Sequence, residues 1–396
     1  MKPRTAAVAV VVLAALSSVA VVGLSDTGPD LAERWVSDTP RDDRRNHHAV
    51  GIDGSIVVAP VTTVAGTTDV SPTACALVRL GAGDGSVRWR AGVAPANCTS
   101  HALTQPAVGD FDDDGNPEIA TSTTEQTVRV HDAGFGDEEW RVPLSTYGYS
   151  QPAVGNLTSD AGVELLVSDI QGGVVAMSGD SISWRRNLSA FVWADPVVAD
   201  VDGDSEPEAL LTTSKNTTLL SAQGRVEWSI PVDGESMTTT RQGDSHRIFV
   251  ATTGRVTAID GRTGHTAWTR DIDGVPAVHA VADGRLYVGV SGGEILALGT
   301  ETGDVAWRFT FPSTERRPTP PPGVGDVDGD GDTEVVAVDN TGAVALLDAA
   351  TGSQLDTYGR DVPIWTFPTV ADVDDDGRAE LFVRYGDGRV VALEAV

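Results

Sequence analysis

Gln105-Pro-Ala-Val-Gly-Asp110 returns along the chain as Gln151-Pro-Ala-Val-Gly-Asn156, Asp195-Pro-Val-Val-Ala-Asp200, Pro321-Pro-Gly-Val-Gly-Asp326 and Phe367-Pro-Thr-Val-Ala-Asp372. Val275-Pro-Ala-Val is a sixth copy, and His47-His48-Ala-Val is a seventh with His48 in the proline position. An eighth, around Thr238-Thr239-Thr240, keeps only the spacing. Each copy leads into a turn and then short β-branched runs such as Glu334-Val-Val-Ala-Val and Gly342-Ala-Val-Ala-Leu-Leu, which read as strands. Self-similarity at a fixed period outranks any local reading of secondary structure.

Working outward, the repeats close on Trp89, Trp140, Trp184, Trp228, Trp268 and Trp307, spaced by roughly 40 to 50 residues, the length of one four-stranded propeller blade. A Thr-Gly turn supplies a tight reversal before the ring, and a large flat indole fills the wedge between adjacent sheets. Ala258-x-Asp260-x-x-Thr263-Gly264-x-x-x-Trp268 and Ala297-x-Gly299-x-x-Thr302-Gly303-x-x-x-Trp307 resemble the tryptophan-docking (PQQ-like) repeat of quinoprotein-like eight-bladed propellers. That resemblance implies that each tryptophan packs between neighbouring blades. The seventh repeat departs from it: Asp356 follows Thr351-Gly352 in the tryptophan position, with Tyr358 two residues later. The last repeat stops at Val390-Val-Ala-Leu-Glu-Ala-Val396 without a closing tryptophan, and Glu33-Arg-Trp35-Val36 has the look of an orphan fourth strand. The expected fold is therefore all-β, an eight-bladed propeller over residues 34–396 whose ring is closed by the N-terminal strand completing the last blade. Division by eight gives about 45 residues per blade.

Ahead of the propeller, Lys2 and Arg4 precede an uncharged apolar stretch from Ala6 to Leu24. Residues 1–24 read as a signal sequence or N-terminal membrane anchor and 25–33 as a tether, which puts the body of the protein outside the cytoplasm, secreted or held by that segment alone.

Four copies of the repeated segment run into one acidic pattern: Asp110, Asp112, Asp114 and Glu118; Asp200, Asp202, Asp204 and Glu208; Asp326, Asp328, Asp330 and Glu334; Asp372, Asp374, Asp376 and Glu380. Alternating carboxylates in a tight loop gather hard oxygens around a cation that relieves their repulsion, so about four structural Ca²⁺ ions are expected. The loops resemble the calcium loops of FG-GAP repeats, such as those of integrin α-chains, with Glu in the last position where Asp is common. Glycine follows the third Asp as Gly115, Gly331 and Gly377, but Ser205 takes that place in the second loop. Asn156, Thr158, Asp160 and Glu164 form a decayed fifth copy. The persistence of Glu in position nine is the argument for metal over plain surface acidity.

The chain carries 57 Asp and Glu against 28 Lys and Arg, a net charge of −29. This balance excludes nucleic acid as a partner, since phosphates need a field of cations. Its lysine-poor acidity resembles the surfaces of proteins from salt-loving organisms.

At the end of the ring opposite the acidic loops, the repeat starts gather Arg44, Arg45, His47, His48, His101, Tyr149, Trp193, Arg316, Arg317 and Trp365. Such a rim would be electropositive and stackable, suited to an anionic or glycan-like ligand or a protein at the cell surface; alternatively the aromatic rings plug the axis and the arginines pair with nearby Asp. Adjacent side chains on a strand point to opposite faces, so His47 and His48 are expected as rim or structural residues and not as a chelating pair. Cys75 and Cys98 fall on this same face and are expected to form a disulfide.

No Ser-His-Asp or Cys-His arrangement is legible and no catalytic residue is assigned. The leading expectation is a calcium-stabilised binding or scaffold module. The resemblance also implies a PQQ-dependent dehydrogenase, but the vicinal Cys-Cys pair common in those enzymes is missing, so PQQ is not expected. A third reading is a calcium-dependent polysaccharide lyase with His48, His101 or His279 as base.

Overall fold

The computed structural model describes residues 29–63, 74–157, 162–312 and 317–396. The segment read as signal or anchor, Thr158, Asp160 and Arg316 lie outside the described residues. Eight antiparallel sheets of four strands follow one another around an axis. The innermost strands are Gly51–Asp53, Ala107–Gly109, Ala153–Gly155, Val197–Ala199, Ser236–Gln242, Pro276–Ala282, Gly323–Gly325 and Thr369–Ala371, which open blades 1 to 8 in that order. Five of these short inner strands, in blades 2, 3, 4, 7 and 8, run directly into the acidic loops or the decayed copy. Blades 5 and 6 instead turn back sharply and keep seven-residue inner strands.

The ring closes through the two ends of the chain. Leu31–Val36 lies antiparallel to Val390–Ala395, with Leu31 opposite Ala395, Ala32 opposite Glu394 and Val36 opposite Val391. This strand begins at Leu31, so the last three residues read as tether, 31 to 33, belong to the sheet: their backbone groups complete the ladder. Trp35 is buried against Phe382 within blade 8.

The middle strands are apolar on both faces because each sheet is sandwiched between two others. Ile56–Val61 and Glu380–Arg384 are buried throughout. Outer strands alternate exposed and half-buried residues, as in Val226–Ile230. The indole N–H groups fasten blade to blade. Trp35 donates to Ala82 O, Trp89 to Ala133 O, Trp184 to Ala222 O, Trp228 to Gly261 O, Trp268 to Thr300 O and Trp307 to Ala349 O, all within 3.0 Å. Each ring sits beneath the turn of the next blade. At Gly303 (φ +71°) a Cβ would come within 2.7 Å of the Trp268 ring, so the turn needs glycine for its conformation and for the close approach. Trp140 is the exception among the described residues: its buried Nε1 has no acceptor. Blade 3 makes a two-residue hairpin, Gly179-Asp180, in place of a Thr-Gly turn.

In blade 7 the substitution of tryptophan serves the closure. Asp356 accepts the backbone N–H of Leu31 at 2.6 Å, and Tyr358 donates its hydroxyl to Glu33 at 2.6 Å, so the two residues that break the repeat hold the closing strand.

Candidate functional site

The inner strands run from a channel mouth at one end to the acidic loops at the other. At the acidic end, the second strands of blades 2, 3, 4, 7 and 8 all begin on the loop glutamate: Glu118, Glu164, Glu208, Glu334 and Glu380. One oxygen of each accepts the backbone N–H of the loop's second residue, at 2.7 Å from Phe111, 2.6 Å from Leu157, 2.8 Å from Val201, 2.8 Å from Val327 and 3.0 Å from Val373. Glu164 does this in the decayed copy as well. Position nine therefore has a backbone-holding task independent of any ion, which removes it as an argument for metal.

The aspartates carry that argument instead. In blade 2, oxygens of Asp110, Asp112, Asp114 and Glu118 all lie within 4.8 Å of one another. In blades 4, 7 and 8 the cluster holds three groups: Asp200, Asp202 and Glu208; Asp326, Asp328 and Glu334; Asp372, Asp374 and Glu380. Asp204, Asp330 and Asp376 stand outside these clusters and accept backbone N–H groups two residues on. Asp110 Oδ1 and Glu118 Oε1 are buried with no hydrogen-bond partner, and burial pushes Glu118, Glu208 and Glu334 up to about 7. Hard, mutually repelling, partly orphaned oxygens are a donor set that fits a calcium-like cation. The residue after the third Asp takes the left-handed conformation in all four loops, at φ +88° for Gly115, +90° for Gly331, +87° for Gly377 and +77° for Ser205. Ser205 adopts it at a steric cost that glycine avoids.

Blade 8 differs because Arg34 reaches its loop from the closing strand. The guanidinium bonds Asp374 at 2.7 Å and Glu380, and lies 3.7 Å from Glu394. A fixed cation already faces these carboxylates.

At the other end, a cavity of about 270 Å³ is lined by His47, His48, Tyr149, Trp193 and Trp365, together with Gln105, Gln151, Asp195, Glu235, His279 and Phe367. An outer hollow of about 550 Å³ adds Arg45, His101, Pro318, Thr319 and Pro320 and shares Pro321 with the inner cavity. Of the expected rim, the structure brings together Arg45, His47, His48, His101, Tyr149, Trp193 and Trp365. Arg317 stacks its guanidinium 5.7 Å from the centre of the Trp365 ring. Arg44 is used through its backbone: its carbonyl accepts Trp365 Nε1 at 2.9 Å, and the residue adopts φ +51°.

The inner cavity lacks the electropositive character expected of the rim, while Arg45 borders the outer hollow and Arg317 stacks on Trp365. Asp195 and Glu235 line the inner cavity, and among the described lining residues that cavity has no arginine or lysine. Burial holds His47 below the usual imidazole range, His48 well below it, and His101 and His279 at about 4, so all four are neutral at pH 7. Asp195, which accepts the Gln151 N–H at 2.7 Å, is pushed up to about 6 by burial. Asp195 is a cavity residue absent from the expected rim although it heads a repeated segment. The signal was there: Gln105, Gln151, Asp195, Pro321 and Phe367 occupy the variable first position, and that position faces the axis.

A second correction concerns His47 and His48, whose rings lie side by side with centroids 4.5 Å apart. The pair precedes the strand Gly51–Asp53, so strand alternation does not govern it. Cys75 and Cys98 are joined in a disulfide with Cα atoms 5.3 Å apart, tying the connection that carries His101 to the second hairpin of blade 1.

The lining of the inner cavity does not match a polyanionic quinone. A polyanionic quinone would meet two carboxylates and no cation in the inner cavity, and the two cysteines of the chain are bonded at the rim, not as a vicinal pair. His279 lies flat on Phe367 with centroids 3.7 Å apart, and among the described residues no carboxylate accepts a hydrogen bond from His48, His101 or His279.

A family model described as outer membrane protein assembly factor BamB matches residues 204–279 and 252–396, from blade 4 to the end of the chain. No curated protein matches the sequence. Among solved structures, BamB from Moraxella catarrhalis aligns over 92% of this chain and 99% of its own at 16% identity, with a TM-score of 0.66. A quinohemoprotein alcohol dehydrogenase from Pseudomonas putida HK5 aligns over 94% of this chain and 77% of its own at 12% identity, TM-score 0.67. BBS1N, solved in complex with ARL6DN, aligns over 88% and 98% at 11% identity, TM-score 0.58. At such identities the likeness establishes the fold: the repeats are BamB-like and the architecture is that of an eight-bladed propeller shared by binding proteins and enzymes.

Proposed function

We propose that this protein is an extracytoplasmic, calcium-stabilised propeller that binds a protein partner at its channel mouth. The observation that carries the reading is the asymmetry of the two ends. One end presents carboxylate loops, while the other presents a sunken aromatic hollow of about 550 Å³ bordered by Tyr149, Trp365 and a proline run, with Phe191 half exposed and stacked on Trp193 nearby. Aromatic anchors around a recess are the usual composition of a binding hot spot. BamB, described as an assembly factor, and BBS1N, solved with a partner, supply precedent on the same fold. Calcium in the blade 2 loop, and with fewer carboxylates in blades 4 and 7, would offset repulsion in a chain of charge −29. Export through the N-terminal segment belongs to the same reading, as does a salt-tolerant acidic surface.

Site-specific photocrosslinking tests the proposal. A photoreactive residue at Phe191 should capture a protein partner in cells, and one at Phe135, 82% exposed on the acidic side of blade 2, should not. Equal capture at both positions, or none at Phe191, would overturn it, and a glycan retained on an array by the wild type alone would redirect the reading to sugars.

A further inference from the structure

We infer that His47, His48 and His101 form a binding site for one borderline divalent transition metal, Zn²⁺ being the representative ion, at the junction of the two mouth cavities. The inference goes beyond the proposed partner binding and does not depend on it. One ring nitrogen from each histidine lies within 4.8 Å of the others. His47 Nε2 and His101 Nδ1 are 2.9 Å apart, close to the ligand–ligand edge of about 3.3 Å that tetrahedral Zn–N bonds imply.

The hydrogen bonds prepare the site. His47 Nδ1 lies 2.8 Å from the Arg45 carbonyl, which can only accept, so Nδ1 carries the proton and the Nε2 lone pair points at the cluster. A backbone carbonyl fixing the far nitrogen is the usual support of a metal-bound imidazole. In the metal-free protein His101 Nδ1–H must then be the donor to His47 Nε2; on binding, His101 changes tautomer, its proton passing to Nε2 by exchange with water, and Nδ1 becomes a ligand of the still neutral ring. His48 supplies an independent observation: its Nε2 is buried with no hydrogen-bond partner. A buried imidazole nitrogen left unpaired is costly, and an ion at the cluster would satisfy it.

The backbone holds all three in place. Asn46, just ahead of the pair, is buried: its amide donates to Gly386 O at 3.1 Å, and its oxygen accepts from Thr62 N at 2.7 Å and from Arg384 at 2.8 Å. The Cys75–Cys98 disulfide anchors the segment leading to His101. The buried Arg384 guanidinium opposes any cation nearby, whereas Asp195 and Glu235 favour one from the cavity side. Three imidazoles leave the fourth position open toward the mouth, where water or an oxygen donor of a ligand would complete the shell. Nitrogen ligands without thiolates select zinc, copper or nickel over calcium, so this site and the acidic loops would sort ions by chemistry.

The test is titration of the full-length protein with CoCl₂ in buffer holding saturating calcium. One Co²⁺ per chain is expected, with the visible absorption of four-coordinate nitrogen-ligated cobalt, displaced by equimolar ZnCl₂. H101A and H47A should each weaken cobalt binding at least about 100-fold, while H265A, at an exposed histidine far from the mouth, should leave it unchanged. H101Q serves as the second variant if alanine disturbs the fold, with Tm in metal-free buffer as the check. Absence of the bands in the wild type, or their survival in H47A and H101A, would overturn the inference.

Discussion

The Asp110 loop of blade 2 and the Asp372 loop of blade 8 share one sequence pattern and one backbone, yet they are electrostatically different objects. In blade 2 four carboxylates converge, and Asp110 Oδ1 and Glu118 Oε1 are buried without a partner. In blade 8 the third Asp stands outside the cluster, and Arg34 bonds Asp374 and Glu380. The outlying third Asp is shared with blades 4 and 7, but the arginine is particular to blade 8, delivered by ring closure from the other end of the chain. A repeated motif thus fixes the donors, while its neighbours decide whether a cation is still wanted.

The largest expected effect that tests this contrast is calcium removal. Each occupied loop contributes about 2.7 kcal/mol at a hundredfold excess of calcium over Kd, so chelation at constant ionic strength should lower Tm, and D110N/D112N should remove the largest single share of that loss. A melt unaffected by chelation would reduce the loops to surface charge. Next, R34Q should destabilise the calcium-free protein by about 3 kcal/mol, because it leaves the buried Glu380 without its partner. It should also raise by one the number of calcium ions retained in native mass spectrometry. A lower Tm with no added ion would make Arg34 a structural clasp only. Third, E164A in the decayed loop should cost about 2 kcal/mol by leaving the Leu157 N–H unpaired, equally with and without calcium; calcium dependence in that variant would break the distinction between loop-holding and ion-holding carboxylates.

A smaller effect separates the acidic end from the mouth. The folded-state value for Asp195, about 6, is above its ordinary 3.8, so its contribution to stability is fully present below pH 3.8 and is lost as pH rises through 6. D195N keeps the acceptor for the Gln151 N–H and removes the ionisation. It should nearly match the wild type at pH 4 and exceed it by about 2 to 3 kcal/mol at pH 8. Denaturant curves at the two pH values decide this; a constant gap would assign the effect to packing.

What could be read in the sequence follows from what repeats. The eight inner segments, the tryptophan spacing and the orphan Trp35 strand specify blades, count and closure, because each is a local pattern with one packing solution. The alternating aspartates likewise announce their loops. What could not be read depends on residues that meet only around the axis. Asp195 and Glu235 come from different blades, and their shared cavity appears only when the ring is closed. His47 and His48 escape the strand rule because they lie ahead of the strand that begins at Gly51. At position nine the sequence shows a carboxylate but not the backbone N–H that donates to it.

The pairing of Asp30 with Val396, in which each backbone N–H donates to the other's carbonyl, at 2.9 and 3.4 Å, puts the two ends of the described chain side by side at the acidic end of blade 8. Anything upstream of Leu31 therefore leaves from that end, and a tethered molecule would turn its mouth outward like a cup on a stem. It also means that the propeller is nearly a closed loop of polypeptide already. A short linker between 396 and 30 would make it circular, and new termini could then be cut at a blade boundary without severing any sheet.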